Sequence, residues 1–126
     1  MNKNEFIGKL GENIAIRYLL KNNYLLINKN YRIGFDEIDV VAKNSSGTLI
    51  FFEIKTSVRN GPASYIFSPE DRFSPIKRHR FVRACEKFLG ANPGAMNDDA
   101  GWEIDLLAIR IYLTRGRFDI AHYRNV

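Results

Sequence analysis

The run Thr48–Lys55 reads as an apolar strand that ends in one acid and one base, Glu53 and Lys55. Side chains alternate along a strand, so Phe51, Glu53 and Lys55 share one face while Ile50, Phe52 and Ile54 share the other. Both faces are mostly apolar, which predicts a central strand covered above and below. A carboxylate and an ammonium in such a strand are costly to desolvate unless they meet partners, a metal ion or solvent at an opening. The end of this strand is therefore where chemistry is expected.

The neighbouring elements bring further polar groups to that corner. Glu37–Lys43 reads as a preceding strand, with Ile38, Val40 and Ala42 on one face and Glu37, Asp39 and Val41 on the other. Asn44-Ser45-Ser46-Gly47 is a hairpin turn by composition, and it folds Asp39 back beside Glu53. Ahead of these, Asn4 to about Asn22 is a helix capped by Asn4. Phe6, Leu10, Ile14 and Tyr18, joined by Ile7, Ala15 and Leu19, form its apolar face. Gly8 and Gly11 cost a helix ~1 kcal/mol each relative to alanine, and a close approach of helix to sheet would offset that. Glu12 lies at the edge of the stripe, either as a surface glutamate or reaching toward the sheet. Tyr24–Tyr31 reads as a strand loosened at Asn28-Lys29-Asn30, and Arg32-Ile33-Gly34-Phe35 as a turn.

Downstream, Thr56–Phe73 shows no period and reads as a long loop carrying Arg59 and Arg72; loops of that length are usually functional or mobile. Ser74-Pro75 opens a second helix that runs to about Leu89 and is ended by Gly90. Ile76, Phe81, Ala84, Cys85, Phe88 and Leu89 make its buried stripe. Lys77, Arg78, His79, Arg80, Arg83 and Lys87 make it basic, either as a solvated face or as a phosphate-contacting surface. Trp102 opens a strand over Glu103–Leu113, and Arg117–Tyr123 is the last strand. The order helix–strand–strand–strand–helix–strand–strand predicts a mixed α/β (α+β) domain, a central sheet of about five strands flanked by helices. The echo of Glu37–Ala42 in Glu103–Ala108 is read as coincidence between two buried strands.

With 126 residues the chain has a one-domain length. No apolar run approaches the ~20 residues that span a bilayer, and the polar N-terminus is not a signal peptide. One cysteine, Cys85, leaves no disulfide framework and no Cys-rich zinc site. A cytoplasmic protein with no membrane partner is expected. The net charge of +5 and pI of about 9.5 suit a nucleic-acid partner but are common without one.

Hydrolysis of a phosphodiester needs an activated water, neutralisation of the phosphorus oxygens and stabilisation of the leaving oxygen. Mg²⁺ or Mn²⁺ supplies much of this and is held by one or two carboxylates plus substrate phosphate. Asp39 and Glu53 are the natural pair, and the main-chain carbonyl of Ile54 is a neutral donor between Glu53 and Lys55. Lys55 is placed to hold the water or offset developing charge. The plain alternative is a cross-strand salt bridge at the hairpin base, worth ~1 kcal/mol or less.

The arrangement Asp39…Glu53-x-Lys55 resembles the PD-(D/E)xK nuclease superfamily. Gly8-x-x-Gly11-Glu12-x-x-Ala15-x-x-Tyr18-Leu19, Asn30-Tyr31-Arg32, Glu37-Ile38-Asp39-Val40-Val41-Ala42 and Phe51-Phe52-Glu53-Ile54-Lys55-Thr56 narrow it. Together with Ile76-Lys77, Ala84 and Ile104-Asp105, they resemble the YraN-like family, a group similar to Holliday-junction resolvases. The resemblance implies a restriction-endonuclease-like core, with Asp39 and Glu53 as metal ligands, Lys55 as the catalytic lysine and Glu12 as the helical acid of a resolvase-like site. Asp36 stands where that family usually has glycine, which adds a charge beside the site. Ser57 stands where arginine is common, which removes a phosphate contact that Arg59 is the candidate to replace.

Three functions are compatible with these residues. The first is a metal-dependent nuclease acting on DNA, branched DNA included, for which a symmetric homodimer would suit paired cuts. The second is a nucleic-acid-binding module that holds DNA or RNA through Arg59, Lys77 and Arg80 without cutting. The third is a structural protein in which the acids and the lysine only bridge one another.

Overall fold

The computed structural model describes residues 1–59 and 74–126, and the side chains of all of these except Arg59. The elements are α1 (Lys3–Lys21), β1 (Leu25–Ile33), β2 (Asp36–Lys43), β3 (Leu49–Arg59), α2 (Pro75–Ala91), β4 (Trp102–Tyr112) and β5 (Arg117–Tyr123). The five strands form one sheet in the order β1-β2-β3-β4-β5. Every neighbouring pair is antiparallel except β3 and β4, which run parallel and are linked through α2. This is the mixed sheet of a restriction-endonuclease-like core, with a helix on each face.

β3 is central, and its two faces feed two separate cores. Ile50 and Phe52 pack with Val40, Ala42, Leu107 and Ile109 against Ala15 and Leu19 of α1. Phe51 packs with Ile38, Val41, Leu49 and Ile104 against Phe81, Ala84, Cys85 and Phe88 of α2. The alternation expected for Phe51 and Phe52 thus places one phenyl ring in each core, and both are fully buried. Among the described residues no helix is long and apolar enough to cross a membrane.

Several boundaries differ from expectation for identifiable reasons. α1 begins early: Asn2, not Asn4, is the N-cap. Its Oδ1 accepts from the Glu5 N–H at 2.9 Å, and its Nδ2 donates to Glu5 Oε1 at 3.0 Å, a reciprocal cap. The buried line of α1 is Gly11, Ala15 and Leu19. Phe6, placed in the core from the sequence, is 59% exposed, and Leu10 is also exposed, since the buried positions of α1 begin only at Gly11.

β1 extends through Asn28-Lys29-Asn30 to Ile33. A register shift between Leu26 and Asn28 and a positive φ of 51° at Asn30 absorb the irregular sequence, so the turn shrinks to Gly34 and Phe35. β3 runs four residues past Lys55, held by parallel pairing to β4 as far as Arg59 and Tyr112. Arg59's side chain, Arg72 and the remainder of the expected loop lie outside the described residues. α2 has the expected Ser74 cap, its Oγ accepting from Lys77 N–H at 3.2 Å, but passes through Gly90 to Ala91. Ile76 leaves the predicted stripe and is 68% exposed.

Candidate functional site

The site is a fork between two strands. β2 and β3 are paired from Lys43↔Leu49 to Val40↔Phe52, and there the pairing stops. At the next residue Asp39 turns its carboxylate across the gap, and Oδ2 accepts from the Ile54 N–H at 2.8 Å. A side chain has taken over a bond that strand pairing would otherwise have made. The divergence also breaks the alternation of β2. Ile38 packs in the α2 core and Val40 in the α1 core, whereas strict alternation puts both on one face. Asp39 sits at this twist.

Two hollows flank the fork. The larger, about 610 Å³, lies toward α1 and is lined by Asp39, Glu12, Glu37, Asn30, Arg32 and Thr56 among others. The smaller, about 210 Å³, lies toward α2 and contains Glu53, Lys77, Arg80, Glu37 and Phe35. Glu37 borders both. Asp39 and Glu53 thus enter from the two sides of the fork, one residue from each other through the Ile54 amide. Lys55 follows Glu53 on the same strand face.

The ionisation of these acids reports their proximity. Burial raises Asp39 to about 6, the Ile54 amide draws it down, and the charges of Glu37 and Glu12 add to the rise. Burial raises Glu53 to about 8, reinforced by the charge of Asp39 and partly offset by Lys77 and Lys55. Among the described residues neither acid forms an ion pair.

Glu12 does reach inward. Its Oε1 accepts from Asn30 Nδ2 at 2.8 Å, and Asn30 presents that amide from its left-handed conformation in β1. The approach of α1 to the sheet is set by Gly11. A Cβ there would run into Thr56 Oγ1 and stand 2.7 Å from its Cγ2 and 2.8 Å from its Cβ. Gly8, expected to serve the same close approach, has nothing within 4 Å of a built Cβ; it lines the larger hollow instead.

Oxygen donors dominate the fork, which suits Mg²⁺ or Mn²⁺ rather than a metal selected by thiolate or imidazole. Among the described residues no group of three or more His, Cys, Asp or Glu side chains is gathered to hold an ion. Asp39, Glu53 and the adjoining main chain could offer donors, and a partly hydrated Mg²⁺ takes one or two carboxylates from protein. A divalent cation would favour the ionised form of carboxyls that burial has raised.

Other polar groups fall differently from the sequence reading. Asp36 does not add a free charge to the site. It is only 7% exposed, and Arg83 grips it with two hydrogen bonds of 2.9 Å while Lys87 adds a third at 3.3 Å. Those two cations leave the predicted phosphate surface, as does Arg78, whose Nη2 donates to Val126 O at 3.2 Å. Lys77 and Arg80 remain beside Glu53. Ser57 lies in β3 on the Lys55 face, opposite Arg110 of β4.

A second network went unseen in the sequence. Asp105, fully buried, faces His122 Nε2 at 2.7 Å and accepts from the Asn125 N–H at 2.9 Å; the other ring nitrogen of His122 meets the Tyr18 hydroxyl at 2.9 Å. The Glu-Ile-Asp echo in β4 thus has a structural use, one that only the pairing of β4 with β5 reveals.

Comparison with known proteins adds a family. The model of Uncharacterised protein family UPF0102 matches residues 11–122, a span that holds Glu12, Asp39, Glu53 and Lys55. A UPF0102 protein of Oleidesulfovibrio alaskensis is 36% identical over 85 residues, 68% of this chain and 40% of that relative, so the match spans less than half the relative's length. A UPF0102 protein of Ralstonia nicotianae is 32% identical over 116 residues, 90% of this chain and 86% of the relative. Among solved structures, Pyrococcus furiosus SfsA in complex with Ca²⁺ gives a loose likeness, with a TM-score of 0.40 and 20% identity over 96% of this chain and 63% of that one.

Proposed function

The chain belongs to the YraN-like family UPF0102, and from its site we propose that it is a metal-dependent nuclease that hydrolyses phosphodiester bonds in DNA, branched DNA included. The observation that carries this is the fork itself. Two desolvated carboxylates, Asp39 and Glu53, open from its two sides into adjoining hollows without ion-pair partners among the described residues, with Lys77 and Arg80 lining the Glu53 side.

Asp39, Glu53 and the main-chain oxygen of Ile54 would hold Mg²⁺ or Mn²⁺. When bound, the cation polarises the phosphoryl group and offsets its charge. The chain's own residues do the rest. The Ile54 amide fixes one oxygen of Asp39, whose side chain lines the larger hollow. Lys55 orients the attacking water and balances negative charge as the phosphorus gains its fifth oxygen. Glu12, held by Asn30 at the rim of the larger hollow, would act from the Asp39 side through a water. Lys77 and Arg80 hold the flanking phosphates.

The test is incubation of the wild type and Lys55→Ala with linear, flapped and four-way DNA in Mn²⁺. Cleavage that falls by ~10²-fold or more in the variant, the scale of a lost catalytic group, supports the enzyme. DNA that is bound but uncut under all conditions would assign the chain to the binding-module alternative. A thermal shift gives an independent readout: Mg²⁺ or Mn²⁺ raises the melting temperature of the wild type and leaves that of Asp39→Ala unchanged.

A further inference from the structure

Phe35 stands at the tip of the β1–β2 turn, where Gly34 takes a φ of 61° to reverse the chain. Its ring is as exposed as it would be in an unfolded chain, at 107%. Phe6 and Ile76 are also exposed, but Phe35 differs in its surroundings. It borders the smaller hollow with Glu53, Lys77 and Arg80. On its other side it borders a hollow of about 290 Å³ with Arg32 and Glu37. One aromatic face thus lies between three cations, beside one of the acids at the fork. Asp36, the acid next to it in sequence, has its charge taken up by Arg83 and Lys87. Among the described residues Arg32 is held only by an exposed 3.8 Å contact with Glu37, a pair that yields readily to a phosphate.

Aromatic rings interleaved with cations are the pattern by which proteins hold unpaired nucleic acid: the ring stacks a base and the cations take the backbone. An intact duplex offers no free base face, because each base is covered by its neighbours. We infer that Phe35 is a stacking platform for an unpaired base next to the phosphodiester at the fork, with Arg32 on one side and Lys77 and Arg80 on the other taking the adjoining phosphates. The inference rests on the nuclease reading and narrows its substrate class to DNA that presents an unstacked base: a gap, a flap or a junction. Because every base has a π-face, the preference is for structure and not for sequence.

The experiment compares equilibrium binding, in Ca²⁺ to hold off cutting, of an intact duplex and the same duplex with a short gap carrying 2-aminopurine at the unpaired position. The wild type binds the gapped DNA more tightly and quenches the probe. Phe35→Ala loses ~10-fold on the gapped DNA, within the range of base–aromatic stacking, and keeps its affinity for the duplex. Phe35→Trp keeps the preference and the quenching, and Phe35→Leu behaves as Phe35→Ala because it has bulk without a π-face. The substitutions are at an exposed tip, and unchanged melting temperatures verify that the fold is intact. Equal losses on both DNAs, or none on either, overturn the inference while leaving the nuclease reading in place. A wild type that neither binds these DNAs nor cuts them in Mn²⁺ overturns both.

Discussion

At pH 7 the two acids of the fork differ in charge. Asp39, raised to about 6, is mostly ionised, and Glu53, raised to about 8, is mostly protonated. Folding therefore raises the proton affinity of both. A carboxyl whose pKa is raised in the folded state stabilises the protein fully below its unfolded value, and that stability is lost as pH rises through the folded value. For Glu53 the window runs from 4.5 to about 8. In chelator the melting temperature should fall across this range. Glu53→Gln, which cannot ionise, should flatten that fall and melt higher than the wild type near pH 8. Added Mg²⁺ should restore the wild type and do little for the variant. A wild-type melting temperature that stays constant from pH 5 to 8 in chelator would remove the desolvation on which the site is built.

Among the elements, α1 carries the sharpest contrast, because its two glycines obey different constraints. In a helix interior alanine is favoured over glycine by ~1 kcal/mol, so the surroundings decide the sign. At Gly11 a Cβ would meet three atoms of Thr56, one of them its own Cβ, which no rotamer change can withdraw. Gly11→Ala should destabilise by ~1–3 kcal/mol, as overpacking does, in chemical denaturation. Gly8→Ala meets nothing and should stabilise by up to ~1 kcal/mol. The sequence marked both glycines as costly but held no information on which one faces β3, since that is decided by how the helix docks, which leaves its first apolar residues outside. The same limit applies to β2. Period-2 reasoning placed Ile38 with Val40, and the twist where β2 leaves β3 is a property of two strands together. What period-2 reasoning did capture was β3, whose faces are set by its own alternation of side chains. The Tyr18–His122–Asp105 network joins α1 to the β4–β5 hairpin, with Tyr18 and His122 104 residues apart in sequence. His122→Ala would leave the buried Asp105 carboxylate without a hydrogen-bond partner on one oxygen, and a loss of ~3 kcal/mol in denaturation is expected for that. A change below ~1 kcal/mol would mean that the network is not a structural tie.

Over the whole molecule the net charge of +5 says less than where the cations are committed. A helical period picks out the basic residues of α2 but cannot assign them, because the acid that claims Arg83 and Lys87 lies 47 and 51 residues away. Folding divides the helix into cations that hold the structure and cations that face the fork, and the two sets should respond to different measurements. Lys77→Ala with Arg80→Ala should leave the melting temperature nearly unchanged while lowering the log–log salt slope of DNA binding by about two, at ~0.9 for each phosphate no longer neutralised. Arg83→Ala should do the reverse: the slope stays and the fold weakens, because Asp36 keeps only Lys87. The pH dependence separates this from general damage. Arg83 and, less strongly, Lys87 hold Asp36 near 2 against an ordinary 3.8. A lowered carboxylate stabilises above its unfolded value and loses that contribution as pH falls through the folded one. The wild type should therefore lose melting temperature between about pH 4 and 2, and Arg83→Ala, already weakened at neutral pH, should lose less over the same range. If Arg83→Ala instead lowered the salt slope as much as the paired Lys77 and Arg80 substitutions do, the division of the helix would be wrong and the whole basic face would belong to the nucleic acid.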